Sequence, residues 1–338
     1  MMSISFGKPY LSVDARQAGL VCPEETRIRK MNGGQSQDCD RVTCPVCRGA
    51  QLRAWTDQFG FDHFACRDCH FLFMDRGHLI PGTRVYTSSY FDGTTHEKTG
   101  GGLGYPASYA DRGSSYRSRY YDRYAVEIGG LLRGAGASHP RVLDVGCAFG
   151  GFLQYLSRTT SAEVHGVEID PEVCRIASEN LNGAPVYCVD LKKEQGVIPR
   201  DAFDVVTLLD VIEHVDDPRS YLAALLACCR PGGYLLLSTP NIESLNARMY
   251  GSKWILHTPP YHTCYFGPKS LSLLLKQTGW DTVSFFTERT IFHNERTELE
   301  TWRGRLARFL FDRRPCDFLT NEILKIGSIM IMIARRPA

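Results

Sequence analysis

An α/β fold is predicted: a Rossmann-like, mostly parallel sheet of seven strands that ends in an antiparallel C-terminal hairpin, preceded by a small cysteine-bearing module. Three observations predict it. At 142–151 the apolar pair Val142-Leu143 reaches Asp144, a turn with Gly146, Gly150 and Gly151 follows, and Phe152, Leu153, Tyr155 and Leu156 then recur at helical spacing. That order describes a buried strand, a tight loop and a helix, the unit from which open parallel sheets are built. Apolar runs at 164–170, 186–191, 203–210 and 234–241 repeat it downstream, the first three ending in acids. Ahead of them all, Cys44, Cys47, Cys66 and Cys69 form two C-x-x-C pairs.

Taken in chain order, residues 1–40 mix Gly, Gln, Ser, Arg and Glu without a sustained period and are expected to form a flexible leader. Residues 41–85 are expected to form a zinc ribbon, because two C-x-x-C knuckles flanking strand-like aromatics bring four thiolates around one tetrahedral ion. Four thiolates leave no position for water or substrate, so the zinc is expected to be structural. A module of about forty residues buries too little apolar surface alone, and the metal supplies its folding energy. Ribbons often carry glycine after each knuckle; here His70 takes the second such place. Residues 86–130 are dense in tyrosine and turn helical after Ser114. They read either as a lid over the site or as a connector packing its rings on the core. The α/β domain is expected over 131–338, with an insertion at 241–268, a helix at 270–279 and a last antiparallel pair at 283–286 and 328–333. Between those two strands a helix near 298–311 carries Leu299, Trp302, Leu306, Phe309 and Leu310 on one face. Core packing is the expected role of that face, with a pocket cap or a homodimer contact as alternatives.

The glycine loop does not suit a dinucleotide. That fingerprint needs a second glycine where this chain has Ala148, and Asp144 just before the first glycine would repel a pyrophosphate. The same acid is favourable beside a sulfonium or an amino group, which points to S-adenosylmethionine. Glu168, at the end of the second strand, can accept from both ribose hydroxyls, and Asp190, at the end of the third, from an adenine amino group. Each acid could instead cap a helix, but such acids in register at successive strand ends are not all caps.

Composition limits the other classes. A net charge of +2 argues against a strong phosphate-binding surface, and a hydrophobic content of 43% is ordinary for a globular protein. No apolar run approaches a membrane span, and the N-terminal residues contain no signal-peptide core. Thirteen cysteines without such a signal imply reduced thiols, so a cytoplasmic protein is expected.

On VLDVGCAFGG at 142–151, the acid-ended strands and FDVVTLLDVIEHVDDP at 203–218, the chain resembles the class I S-adenosylmethionine-dependent methyltransferases. The likeness covers residues 115–338 and is greatest to the branch holding ubiquinone-biosynthesis O-methyltransferases and many small-molecule and sugar methyltransferases. It implies that Asp144, Gly146 and Gly150 hold the methionine moiety, with Cys147 and Ala148 along the same loop. It assigns Glu168 with Ile169 to the ribose, Asp190 with Leu191 to the adenine edge, and Asp210 to the same cofactor site. Tyr116 and Arg119 are candidates for the methionine carboxylate, and the 241–268 insertion is implied to cover the acceptor.

A hydroxyl acceptor must lose its proton, which suits a histidine near neutral pH. His262, in the insertion, is the first candidate for the base and His214, on the helix expected after the fourth strand, the second. A metal-assisted variant is also implied, since Asp210, Glu213 and His214 match the acid-x-x-Glu-His segment that resembling enzymes use for magnesium. Methylation of a small molecule, on oxygen of a sugar or biosynthetic intermediate, is therefore expected. Two rivals remain in view. An RNA methyltransferase would call for a basic ribbon, whereas 41–85 alternates Arg with Asp; a non-catalytic S-adenosylmethionine-binding scaffold that only retained the fold is expected to show decayed cofactor positions, whereas Asp144, Glu168 and Asp190 are all present.

Overall fold

Around the two cysteine pairs the chain forms a short antiparallel meander, β1 (Leu52–Thr56), β2 (Asp62–Cys66) and β3 (Leu72–Met74). The computed structural model describes residues 42–79, 115–194, 196–254, 256–288 and 324–338, with backbone alone for 115–119 and 135. The expected leader at 1–40, the tyrosine-rich stretch from 86 to 114 and the helix expected at 298–311 lie outside the described residues. The meander does not close on itself. Its β3 edge pairs antiparallel with a two-residue strand of the insertion, Cys264–Tyr265 (β9 in chain order), with Leu72 opposite Tyr265 and Phe73 opposite Cys264. A small module lacks the apolar area to be self-sufficient, and here it completes its sheet with a strand from elsewhere in the chain.

Helix α1 (Ser115–Ala135) follows, and Tyr124, Ile128 and Leu132, at four-residue spacing, are buried in one cluster with Val142, Val205 and Ile331. The helix is continuous through 130, where the sequence suggested a boundary. Then β4 (Arg141–Val145), α2 (Gly151–Thr159), β5 (Glu163–Glu168), α3 (Pro171–Asn180), β6 (Val186–Cys188), β7 (Phe203–Leu209), α4 (Pro218–Cys228) and β8 (Cys229–Pro240) succeed one another. The insertion contributes α5 (Leu245–Tyr250) and β9, after which come α6 (Pro268–Gln277), β10 (Asp281–Glu288) and β11 (Ile329–Arg335).

The large sheet runs β10-β11-β8-β7-β4-β5-β6. Strands β4, β5, β6, β7 and β8 are mutually parallel, while β11 lies antiparallel between β8 and β10. The Rossmann-like sheet and its antiparallel C-terminal pair are as the sequence predicts. Strands β4, β7 and β11 are buried almost throughout, as a sheet covered on both faces requires. From β4 the order runs outward both ways, to β5 and β6 and to β7 and β8, so the carboxyl end of β4 is the switch point where such folds bind ligands. Capping acids are present too: Asp170, which ends the 164–170 run, accepts from Glu172 N and Val173 N ahead of Pro171, and Asp217 accepts from Ser220 N ahead of Pro218. Among the described residues, no helix is long and apolar enough to cross a membrane.

Candidate active site

At the switch point the loop after β4 bends through three left-handed residues, Gly146 (φ +77°), Ala148 (φ +48°) and Gly150 (φ +78°). A Cβ at Gly146 would stand 2.5 Å from Val211 Cγ2, so this place is closed to any side chain. The N–H groups of Gly146 and Cys147 donate to Val167 O, and Ala148 N donates to Glu168 Oε2 at 3.0 Å, which ties the loop to the end of β5. Cys147 is buried against β5, where only Gly166 leaves room: a Cβ there would meet Cys147 Sγ at 2.7 Å.

Asp144 is 3% exposed and accepts from Thr207 Oγ1 at 2.6 Å. Burial, with the nearby charge of Glu168 adding to it, pushes its carboxyl up to about 7. Glu168 is also buried, and burial raises its carboxyl against three backbone donors: Ile169 N at 2.7 Å and Asp170 N at 3.2 Å on Oε1, and Ala148 N on Oε2. The two acids lie near enough for the charge of Glu168 to act on Asp144. Ile169 is half-buried beside them, and Leu191 is buried. Asp190 accepts from Lys192 N and pairs with Lys193 Nζ at 3.0 Å. Asp210 is exposed, left-handed (φ +54°) and accepts from Ser238 Oγ at 2.8 Å. Tyr116 and Arg119 lie in the first turns of α1, where the side chains are outside the described residues. One turn further on, Tyr124 is buried beside Asp210 and hydrogen-bonded to Ser238. Its four-residue spacing from Tyr120 was the available signal for an inward face.

The two histidine candidates meet. His214 does not stand on a helix: Ile212–His214 is a single 3-10 turn, and the Asp217-Pro218 cap delays α4. The His214 and His262 rings are 4.7 Å apart, edge to face. His214 Nδ1 lies 2.9 Å from Tyr261 O, and the Asp210 backbone hydrogen-bonds the same ring. His262 Nδ1 lies 2.8 Å from Leu256 O, so it donates there and leaves the Nε2 lone pair. Burial lowers His214 to about 4; burial and the neighbouring His214 hold His262 well below the ordinary imidazole value. Beside them Glu213 is 1% exposed, accepts from Thr239 Oγ1 at 2.9 Å, and is raised well above the usual carboxylate range by burial and by Asp210. Ligand atoms of Glu213, His214 and His262 lie within 4.8 Å of one another. A set of two imidazoles and a single carboxyl does not fit magnesium, which favours oxygen ligands.

In the small sheet, Cys44 Sγ and Cys69 Sγ are 3.6 Å apart, Cys47 Sγ and Cys66 Sγ 3.5 Å, and all four thiols fall within 4.8 Å. A tetrahedron with metal–sulfur bonds of about 2.3 Å has edges of roughly 3.8 Å, so the donor set fits one zinc ion. The residues after the knuckles, Arg48 (φ +63°) and His70 (φ +64°), adopt the left-handed turn without glycine. Arg48 N donates to Cys44 O and His70 N to Cys66 O, the same turn twice. A further buried cluster, Asp57, His63 and His257, joins this module to the insertion. Sequence reasoning missed it, although Asp57-Gln58-Phe59-Gly60 is a hairpin-turn signal.

A family model described as a methyltransferase domain matches residues 114–284. A ubiquinone biosynthesis O-methyltransferase of Aromatoleum aromaticum is 31% identical over 159 residues, covering 44% of this chain and 68% of that protein. One of the same name from a Shewanella species is 31% identical over 147 residues, covering 41% and 62%. The chain thus spans about two thirds of the length of these relatives. Among solved structures, an S-adenosylmethionine-dependent methyltransferase from Archaeoglobus fulgidus aligns with a TM-score of 0.42 at 21% identity, covering 66% of this chain and 100% of that one.

Proposed function

Because the chain belongs to the methyltransferase-domain family, we propose that it moves a methyl group from S-adenosylmethionine to an oxygen of a small-molecule acceptor. The observation that carries this reading is the buried Asp144 carboxyl, lifted to about 7 at the sheet's switch point beside Glu168. A cation beside such a carboxyl favours its ionised form, and a positively charged methionine moiety supplies one. Gly146, Cys147, Ala148 and Gly150 form the wall it would lie against, with Glu168 and Ile169 toward the ribose, Asp190 and Leu191 toward adenine, and Asp210 with Tyr116 and Arg119 at the methionine end.

When bound, the cofactor supplies an activated methyl carbon for an in-line displacement. The chain's own residues orient the acceptor and take its proton. His262 is the better base: its Nδ1–H is committed to Leu256 O, its Nε2 lone pair remains, and its depressed basicity keeps it neutral at pH 7. The His214 ring is held by both Tyr261 and Asp210 and instead walls the site. Cys44, Cys47, Cys66 and Cys69 hold a structural zinc, and the protein acts in the reducing cytoplasm. The acceptor is a small molecule and not RNA, since the ribbon alternates Arg with Asp and its β3 edge is taken by the insertion.

The test is calorimetric titration of the full chain with S-adenosylmethionine, followed by a mass-spectrometric screen of phenols, catechols and sugars. Saturable binding and an acceptor heavier by one CH2 are expected. His262→Ala is expected to keep cofactor affinity and lose about 100-fold or more in turnover. Absence of binding heat overturns the reading, and binding without transfer to any acceptor favours the scaffold.

A further inference from the structure

The wall that carries His262 is held from outside by residues the proposed chemistry leaves unused. Asp57, in the turn after β1, is 7% exposed and accepts four hydrogen bonds. Its Oδ1 takes Phe59 N at 2.8 Å and Phe61 N at 3.0 Å, closing the turn. Its Oδ2 takes His63 Nε2 at 2.8 Å and His257 Nε2 at 3.1 Å. His63 belongs to β2, but His257 belongs to the insertion, one short turn before His262. The His257 ring stacks on Tyr265 (5.2 Å), whose ring meets His262 edge-on (5.9 Å), and Trp55 of β1 flanks both His63 and His257.

The backbone repeats the clamp. Met74 N donates to Thr263 O at 2.8 Å on the ribbon side, while Thr263 N donates to Glu213 O at 2.8 Å on the cleft side. The segment 263–265 is therefore gripped between the ribbon strand β3 and the turn that bears His214. A buried carboxylate with four directed donors fixes geometry far more tightly than a surface contact does.

We propose that Asp57 and His257 are positioning residues, through which the metal-folded ribbon braces the acceptor wall and sets the orientation of His262. The inference rests on reading His262 as the base and the four cysteines as the metal site. Metal occupancy then governs the geometry of the base as well as the stability of the ribbon, because Asp57 keeps its place only while the meander is folded.

The experiment uses the full zinc-loaded chain with 15N-labelled histidine, and the variants Asp57→Asn and His257→Phe, the latter keeping the ring stack but losing the donor. S-adenosylhomocysteine is the cofactor probe. Wild type is expected to show His262 as one Nδ1–H tautomer and slow amide exchange over 256–266. Both variants are expected to bind the probe within twofold of wild type, yet exchange that segment at least tenfold faster and show His262 as a tautomer mixture. Chelating the zinc should reproduce this. A folded variant with unchanged exchange and tautomer overturns the brace; if Asp57→Asn does not fold, His257→Phe decides alone. Metal analysis should give one zinc per chain, and a second ion lost on Asp57→Asn would instead make the trio a metal site. Loss of probe binding in wild type itself counts against the reading of the cleft, separately from the brace.

Discussion

Asp144 is a carboxyl whose surroundings disfavour its own charge, and that makes it a sensor of what binds beside it. In the free chain it titrates near 7; a docked cation favours the ionised form and lowers that value, so binding releases a proton. Cofactor affinity is therefore expected to weaken as pH falls through 7, approaching tenfold per pH unit. Calorimetry in buffers of differing ionisation enthalpy reads the released proton directly. The linkage to folding has the opposite sense. A raised carboxyl stabilises the free fold fully below the unfolded value of 3.8, and that contribution is lost as pH rises through about 7. Asp144→Asn should bind at least tenfold more weakly at pH 8 and show a flat pH profile. A variant that kept the wild-type slope would place the titrating group elsewhere.

The elements differ in how openly the sequence announces them. Strands β4, β5 and β7 were legible because a parallel strand covered on both faces must be apolar along its length, with an acid marking where it meets the cleft. The glycine loop was legible as a loop, but its strain was not. Ala148 occupies a left-handed position that costs an L-residue about 1–2 kcal/mol, whereas at Gly146 a side chain would also strike Val211. Gly146→Ala is accordingly expected to destabilise by roughly 2 kcal/mol and to weaken cofactor binding, while Ala148→Gly should be neutral or stabilising by up to about 1 kcal/mol. Urea unfolding of both variants measures this, and equal losses would show that the backbone at 146–148 is not as described. β9 escaped sequence reading for a plain reason: Cys264–Tyr265 is too short to show a period, and its partner Leu72–Phe73 is far away in the chain. The 3-10 turn at Ile212–His214 was hidden likewise, since one turn has no repeat to read.

At the scale of the whole molecule, the metal module and the cleft share structure, and cooperativity follows from that sharing. Arg219 of α4 donates to Pro45 O and Val46 O, and Lys269 of α6 donates to Asp68 O. Phe71 packs on Phe266, while Cys44 and Val46 lie in the same buried cluster as Leu222 and Leu274. The sequence placed these cysteines in a module of its own, because spacing shows which residues share an ion but not which surface the folded ion site will lean on. A structural zinc contributes on the order of 10 kcal/mol to the fold that binds it, more than such a meander could replace. Removing zinc with a chelator should therefore unfold the meander and also lower the melting transition of the α/β domain by several degrees. One transition is expected with zinc and an earlier, broader one without it, recovered when zinc is titrated back. Far-ultraviolet circular dichroism at 222 nm follows the helices flanking the large sheet, so it reports the effect away from the metal. An unchanged helical melt after complete zinc removal would mean that the ribbon only rests on the domain and that the shared β3–β9 edge contributes little.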